Sequence, residues 1–269
     1  MNINFKDALG YLTFKELEKY SFIKHAFSTR LGGVSKNEFK SLNLGFLCGD
    51  DEKCVEENYK IFCESLGFNL NLLVRTQQIH EIAIKKVSMN DITGKDFNKR
   101  VFENTDGLIT NEPGIVLMTS HADCPAAFML DPIKKIVGLA HAGWRGTVKK
   151  IASNLLEAFI TNYGSSKEDV ICALGPSIAK CCFEVSQSLL PEFEKLGIEN
   201  SYTLKSKNDG KINIDLLEVN RKILMQAGLL SKNIFKSDVC TMCNHDLLFS
   251  HRFTNGRRGS NVAIISILE

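Results

Sequence analysis

Between residues 106 and 141 three short apolar runs follow one another: GIVLMTS, AAFML and IVGLAH. Turn-forming pairs, Glu112-Pro113 and Asp131-Pro132, precede or separate them. Runs of this length bounded by turn residues read as consecutive strands. Cys124 falls between the first two runs and His141 ends the third. A chain with strands clustered in this way must cover them with other layers of structure.

The flanking sequence supplies those layers. YSFIKHAFSTRLGGVS, residues 20 to 35, reads as a strand entering a Gly-Gly turn. Asp50 and Asp51 are placed to cap a helix running to about Leu66, where Gly67 stops it, and Val55, Tyr59, Phe62 and Leu66 recur at helical spacing. QIHEIAIKKV alternates, which predicts a strand with His80, Ile82 and Ile84 on one face. His80 then points to the apolar side, where an imidazole needs a hydrogen-bond or metal partner. A stripe of Val148, Ile151, Leu155 and Phe159 predicts one helix ending at Gly164. DLLEVNRKILMQAG predicts another, capped near Asp215 and closed at Gly228. VICALGP, CCFEV and NVAIISILE read as strands. Strict βαβ alternation is missing, so the pattern predicts an α+β fold of packed mixed sheets flanked by helices.

The chain has 269 residues and a formal net charge of +2, which gives no reason to expect a nucleic-acid or membrane-surface partner. Its length suits one large domain or two modest ones, and its five prolines mark no linker. No stretch is built like a signal peptide or a membrane span. Nine scattered cysteines, an odd number, fit a reducing, cytoplasmic setting better than a disulfide scaffold.

Thiols kept reduced are available as metal ligands. Of six histidines, His80 and His141 lie in or at the ends of strands near the turn carrying Cys124. Two imidazoles and one thiolate suit a catalytic zinc centre, which takes N and S ligands and keeps one position open. Buried histidines with ordinary hydrogen-bond partners and a cysteine filling the core fit the same residue types. Asp123 beside Cys124 is either a proton carrier or a turn aspartate. HAGWRGT brings Arg145 to a helix start, a common anion-binding arrangement and a common structural device. FSTRLGGVS adds Arg30, with Ser28 and Thr29 as hydroxyl donors, or else a tight turn with an exposed arginine. Arg252, Arg257 and Arg258 form a mild basic cluster. CTMC, residues 240 to 243, has metal or redox spacing but no second pair, so it reads as structural, and Cys181-Cys182 reads as strand packing.

FSTRLGGVS, SLNLGFLCGDD, QQIH, NTDGLIT, HADCPAAF, LAHAGWRG, LGPSIAKCCFEV and FSHRFTNGRRG occur together in this order. The set closely resembles the YfiH or laccase-domain family, associated with zinc-dependent purine nucleoside phosphorylase activity. The resemblance implies a single α+β domain over residues 1–269, with motifs from about 27 to 260. It also implies zinc on His80, Cys124 and His141. The implied activities are phosphorolysis of adenosine, guanosine, inosine and methylthioadenosine, and deamination of adenosine. Asp123 and Arg145 are then the candidate catalytic groups, with Ser28, Arg30 and Gln78 as candidate substrate and phosphate ligands. The chain departs from the usual pattern at Glu81 and at His251-Arg252-Phe253.

Three other readings compete. A copper polyphenol oxidase could use the same His₂Cys set, but multicopper enzymes need many histidines, commonly as H-x-H pairs, and this chain has none. A cysteine hydrolase would use Cys124 as nucleophile with His141 or His80 as base. In the third, a metal only braces a partner-binding domain. The sequence sets no oligomeric state and no preferred nucleoside.

Overall fold

The computed structural model describes residues 1–93, 96–200, 202–206 and 208–268. Two large sheets face each other. The first runs β1 (Asn2–Lys6), β2 (Leu9–Thr13), β3 (Ile23–Ser28), β16 (Asn261–Ile267), β8 (Val116–His121), β4 (Leu73–Thr76), β6 (Val101–Phe102). The second runs β15 (Ile234–Lys236), β11 (Ile171–Leu174), β9 (Ala126–Asp131), β10 (Ile136–His141), β7 (Gly107–Thr110), β5 (Ile84–Lys86). A small third sheet joins β12 (Glu184–Ser186), β14 (Lys211–Ile214) and β13 (Thr203–Lys205). The described residues form seven α-helices: α1 (Lys15–Glu18), α2 (Glu52–Leu66), α3 (Trp144–Val148), α4 (Ile151–Tyr163), α5 (Leu190–Glu194), α6 (Leu216–Gln226) and α7 (His251–Thr254). None is long and apolar enough to cross a membrane. The mixture of packed sheets and outer helices is the expected α+β class.

Side-chain alternation explains why the central runs are wholly apolar. Along β9, Ala126, Phe128 and Leu130 face the first sheet, meeting Phe27, Leu117, Ala263 and Ile265. Ala127 and Met129 face outward onto Ile151, Leu155 and Phe159 of α4 and Leu217 and Leu224 of α6. The first sheet is covered on its far side by α2, whose Val55, Tyr59 and Phe62 pack on Met118, Val262 and Ile264. A strand covered on both faces cannot show an apolar–polar alternation. Burying one such large side chain contributes about 1.5–3 kcal/mol.

The helix ends follow their chemistry. Asp51 caps α2 by accepting the Lys53 amide, and Gly67 closes it with a left-handed φ of 68°. Asp215 caps α6 by accepting the Glu218 amide.

Three expected elements differ. The stripe beginning at Val148 is not one helix: Lys150 adopts a left-handed φ of 65° and separates α3 from α4. Val148 packs with the third sheet's cluster, whereas Ile151 onward covers the second sheet, so two packing directions require the break. QIHEIAIKKV is a strand only from Ile84, and His80 sits in a bend with φ 63°. CCFEV is a strand only from Glu184; Cys181 and Cys182 lie in a turn where the Cys182 and Phe183 amides both reach the Ala179 carbonyl.

Buried His25 gives this core a pH dependence. Its Nε2 accepts the Phe14 amide at 2.9 Å, which requires neutral imidazole. Burial, only partly offset by Glu18, pushes its pKa down to about 4. The folded value lies below the unfolded one near 6.5, so this stability is present above pH 6.5 and lost as pH falls toward 4, at about 1.4 kcal/mol per pH unit. Urea unfolding of His25→Gln is expected to fall less steeply than wild type over that window; equal slopes would remove His25 as the cause.

Candidate metal centre and its surroundings

Strand register assembles the site. Ala140 of β10 pairs with Gly107 of β7, so the next residue, His141, meets Asp106, whose carbonyl accepts the His141 amide at 2.8 Å. His141 also pairs with Ala126 at the start of β9. The turn before Ala126, where the chain leaves the first sheet for the second, therefore delivers Cys124 to the same point. Ile84 of β5 pairs with Gly107, which brings the preceding loop and His80 alongside Asp106.

The donor atoms of His80, Cys124 and His141 all lie within 4.8 Å of one another. The two imidazole rings stand edge to face, with centroids 4.8 Å apart. Gly143 closes the back of the trio. A Cβ there would stand 2.8 Å from His80 Cδ2 and 3.0 Å from Cys124 Sγ, so only glycine lets the chain pass.

Asp106 holds the arrangement. Its Oδ2 accepts the amides of Ile79 and Glu81, each at 3.0 Å, and its Oδ1 accepts the His80 amide at 3.1 Å. The same Oδ1 accepts His141 Nδ1–H at 3.0 Å. Burial opposes a charge here, but the His141 bond and the Glu81 and Ile79 amides outweigh it and hold the carboxyl below the usual range. Three successive amides turned toward one carboxylate form a cradle, and His80 needs its left-handed backbone to complete it. With Nδ1 occupied, His141 presents Nε2 toward His80 and Cys124, as metal-bound histidines usually do.

Electrostatics favour a thiolate. Burial works to raise the Cys124 thiol, but the charge of His141 and hydrogen bonds from His141 and His80 bring it below its ordinary value. Burial works to lower His141, and the Cys124 and Asp106 charges reverse that. His121, fully enclosed, is pushed well down by burial and by His141. It is neutral, donating Nδ1–H to the Cys124 carbonyl at 3.1 Å and accepting the Thr119 hydroxyl at Nε2, 2.8 Å. His121 thus braces the turn that presents Cys124.

The other expected site residues are spread around this centre. Asp123 is buried with φ 82°; its oxygens accept the Thr241 hydroxyl and the Arg252 amide, each at 2.6 Å. Arg145 is exposed, its guanidinium 4.5 Å from the Trp144 ring. It stands on a helix of only five residues, so little macrodipole supports an anion there. Gln78 pairs its amide with the backbone of Ser120, anchoring the His80 loop. The Ser28 hydroxyl is buried and accepts the Val262 amide. Arg30 donates to the carbonyls of Lys40 and His245. Arg252 reaches the Glu184 carbonyl while Arg258 reaches Ser260, so the expected basic cluster divides between different partners.

Sequence reasoning missed Asp106, His121, Gly143 and Thr241 as contributors. Asp106 lies inside the NTDGLIT motif and His121 inside HADCPAAF, which was the available signal. The expectation that CTMC has no second pair is also corrected. Cys240 and Cys243 meet Cys181 and Cys182, the second pair that linear spacing could not reveal.

Residues 24–268 match the family model described as multi-copper polyphenol oxidoreductase laccase. The chain belongs to this family. It is 34% identical over 245 residues to "Purine nucleoside phosphorylase YlmD" of Bacillus subtilis (strain 168), covering 90% of this chain and 88% of that one. It is 34% identical to "Adenosine deaminase RL5" from an unknown prokaryotic organism, covering 88% and 93%. The solved structure of YlmD from Geobacillus stearothermophilus superposes with a TM-score of 0.90 at 31% identity, covering 99% of each chain.

If Asp106 orients the ligands, Asp106→Asn should weaken divalent-metal affinity about 10- to 100-fold, as loss of such a partner typically does. Competition against a chromophoric chelator measures it. Unaltered affinity would confine Asp106 to the backbone.

Proposed function

We propose that this protein is a purine nucleoside phosphorylase that also deaminates adenosine, with zinc held by His80, Cys124 and His141. The carrying observation is the convergence of two imidazoles and one thiolate on a single point, backed by Asp106, in a chain so similar to proteins bearing those names. Three N and S donors, one short of the four that close a structural zinc site, fit a catalytic one. When bound, zinc would supply Lewis acidity at neutral pH.

The chain's own residues do the rest. Arg145, two residues beyond the backbone that abuts the trio, holds phosphate as a positioned anion whose oxygen bonds to the ribose C1′ as the glycosidic C1′–N9 bond breaks and the purine base leaves. Arg30 ties the loops around Lys40 and His245 together and contributes charge from that side. Ser28 and Gln78 spend their polar atoms on protein partners, which assigns them to positioning rather than to substrate. In deamination, where water adds at the purine C6 and the C6–N bond breaks, Asp123 passes the water's proton to the departing ammonia. Thr241 and the Arg252 amide fix its two oxygens, and each oxygen keeps a lone pair to take that proton. The free state of all nine cysteines suits a reducing, cytoplasmic setting.

The rival readings are less well served. A thiol nucleophile needs one imidazole, which leaves His80 without a task. A multicopper oxidase needs further histidine clusters. Among the described residues the trio is the only candidate metal group that contains histidine.

A panel of adenosine, guanosine, inosine and methylthioadenosine, with and without phosphate, tests the proposal on protein of known metal content. Phosphate-dependent ribose-1-phosphate and free purine base are expected, with 5-methylthioribose-1-phosphate from methylthioadenosine and ammonia from adenosine alone. No turnover with a full metal site would favour the bracing role. Asp123→Asn should keep its metal and lose most ammonia release; unchanged release at full occupancy would remove Asp123 from the mechanism.

A further inference from the structure

Away from the trio, two turns about sixty residues apart in sequence place four thiols together. Cys181 and Cys182 come from one turn, Cys240 and Cys243 from the other, and their sulfurs all lie within 4.8 Å of one another. Cys243 Sγ stands 3.6 Å from Cys181 Sγ and 3.4 Å from Cys182 Sγ. All four are free cysteines.

The backbone builds this meeting. Ser177 pairs with Cys240 in an isolated parallel bridge, and the Thr241 amide reaches the Ser177 carbonyl at 3.0 Å. The Ala179 amide points at Cys240 Sγ from 3.3 Å, a donor that favours a thiolate there. The Asn244 amide returns to the Cys240 carbonyl, and this helical turn puts Cys240 and Cys243 on one side. Cys182 and Phe183 both donate to the Ala179 carbonyl, and that tight turn lets two adjacent cysteines face the same way.

We propose that Cys181, Cys182, Cys240 and Cys243 form a second, structural site for a thiophilic cation such as zinc. Four sulfurs at about 2.3 Å from a tetrahedral zinc lie about 3.8 Å apart, close to the spacing present here. A disulfide needs its two sulfurs at about 2.05 Å, much nearer than any pair described above. The group contains no carboxylate or imidazole, so its softness selects zinc or ferrous iron over magnesium or calcium. Four protein ligands leave no position for substrate, which makes the site a staple. It would fasten the two segments that hold Asp123, since Thr241 donates to its carboxylate and the Ile178 amide to its carbonyl. The site stands independently of the nucleoside reading.

The test counts ions on the intact chain, purified under reductant without chelator, by mass spectrometry. Wild type is expected to hold two per chain, Cys243→Ser one, and Cys124→Ser one. Cobalt(II) loading of Cys124→Ser provides a check that leaves all four cluster cysteines in place. That variant has no sulfur at the trio, so thiolate–cobalt absorption must come from the cluster. A single ion in wild type that Cys124→Ser abolishes would overturn the proposal, as would absence of the cobalt–thiolate spectrum. So would a disulfide joining Cys243 to Cys181 or Cys182 in protein kept under reductant.

Discussion

The buried carboxylate of Asp106 is the interaction on which the site depends. One group accepts three successive amides from the His80 loop and the Nδ1–H of His141. Two ligands from separate elements are thereby referred to one fixed anion. Leaving such donors unpaired in a buried place would cost about 1–3 kcal/mol each, so the loop has little freedom to drift. Metal affinity, the His141 tautomer and the left-handed backbone of His80 follow from the same contacts.

The second constraint is the passage of the chain between sheets. β8 belongs to the first sheet and β9 to the second, and the turn joining them carries Asp123 and Cys124. His121 donates into that turn from one side, and Asp123 is gripped by Thr241 and Arg252 from the other. A thiolate displayed on a turn tied at both ends keeps its position when neighbouring side chains move. The cysteine cluster extends the same logic outward, because the segment carrying Thr241 begins at one of its sulfurs.

Legibility in sequence varied with the range of the interaction. The α2 boundaries at Asp51 and Gly67 were readable because caps act within one turn of the helix. The strands around Cys124 were readable from their apolar runs, though which face of each met which layer was not. The His80 segment was misread as strand because its alternation is real, but a distant carboxylate gathers its amides before any strand can pair with them. Val148 was assigned to the wrong helix because one periodic stripe serves two different packing surfaces.

The amino-acid sequence by itself determined the class of fold and the ends of α2 and α6, which residue type and spacings within a few positions encode. The donor set of two histidines and one cysteine, spread from residue 80 to 141, was legible only through the resemblance carried by eight motifs in order. Only the tertiary structure decided that Asp106 stands behind His141, that the Ser28 hydroxyl meets the Val262 amide and Gln78 the Ser120 backbone, and that four cysteines share one corner. Each of these joins residues far apart along the chain, and strand register and turn geometry, which emerge only when the sheets pack, set their distances.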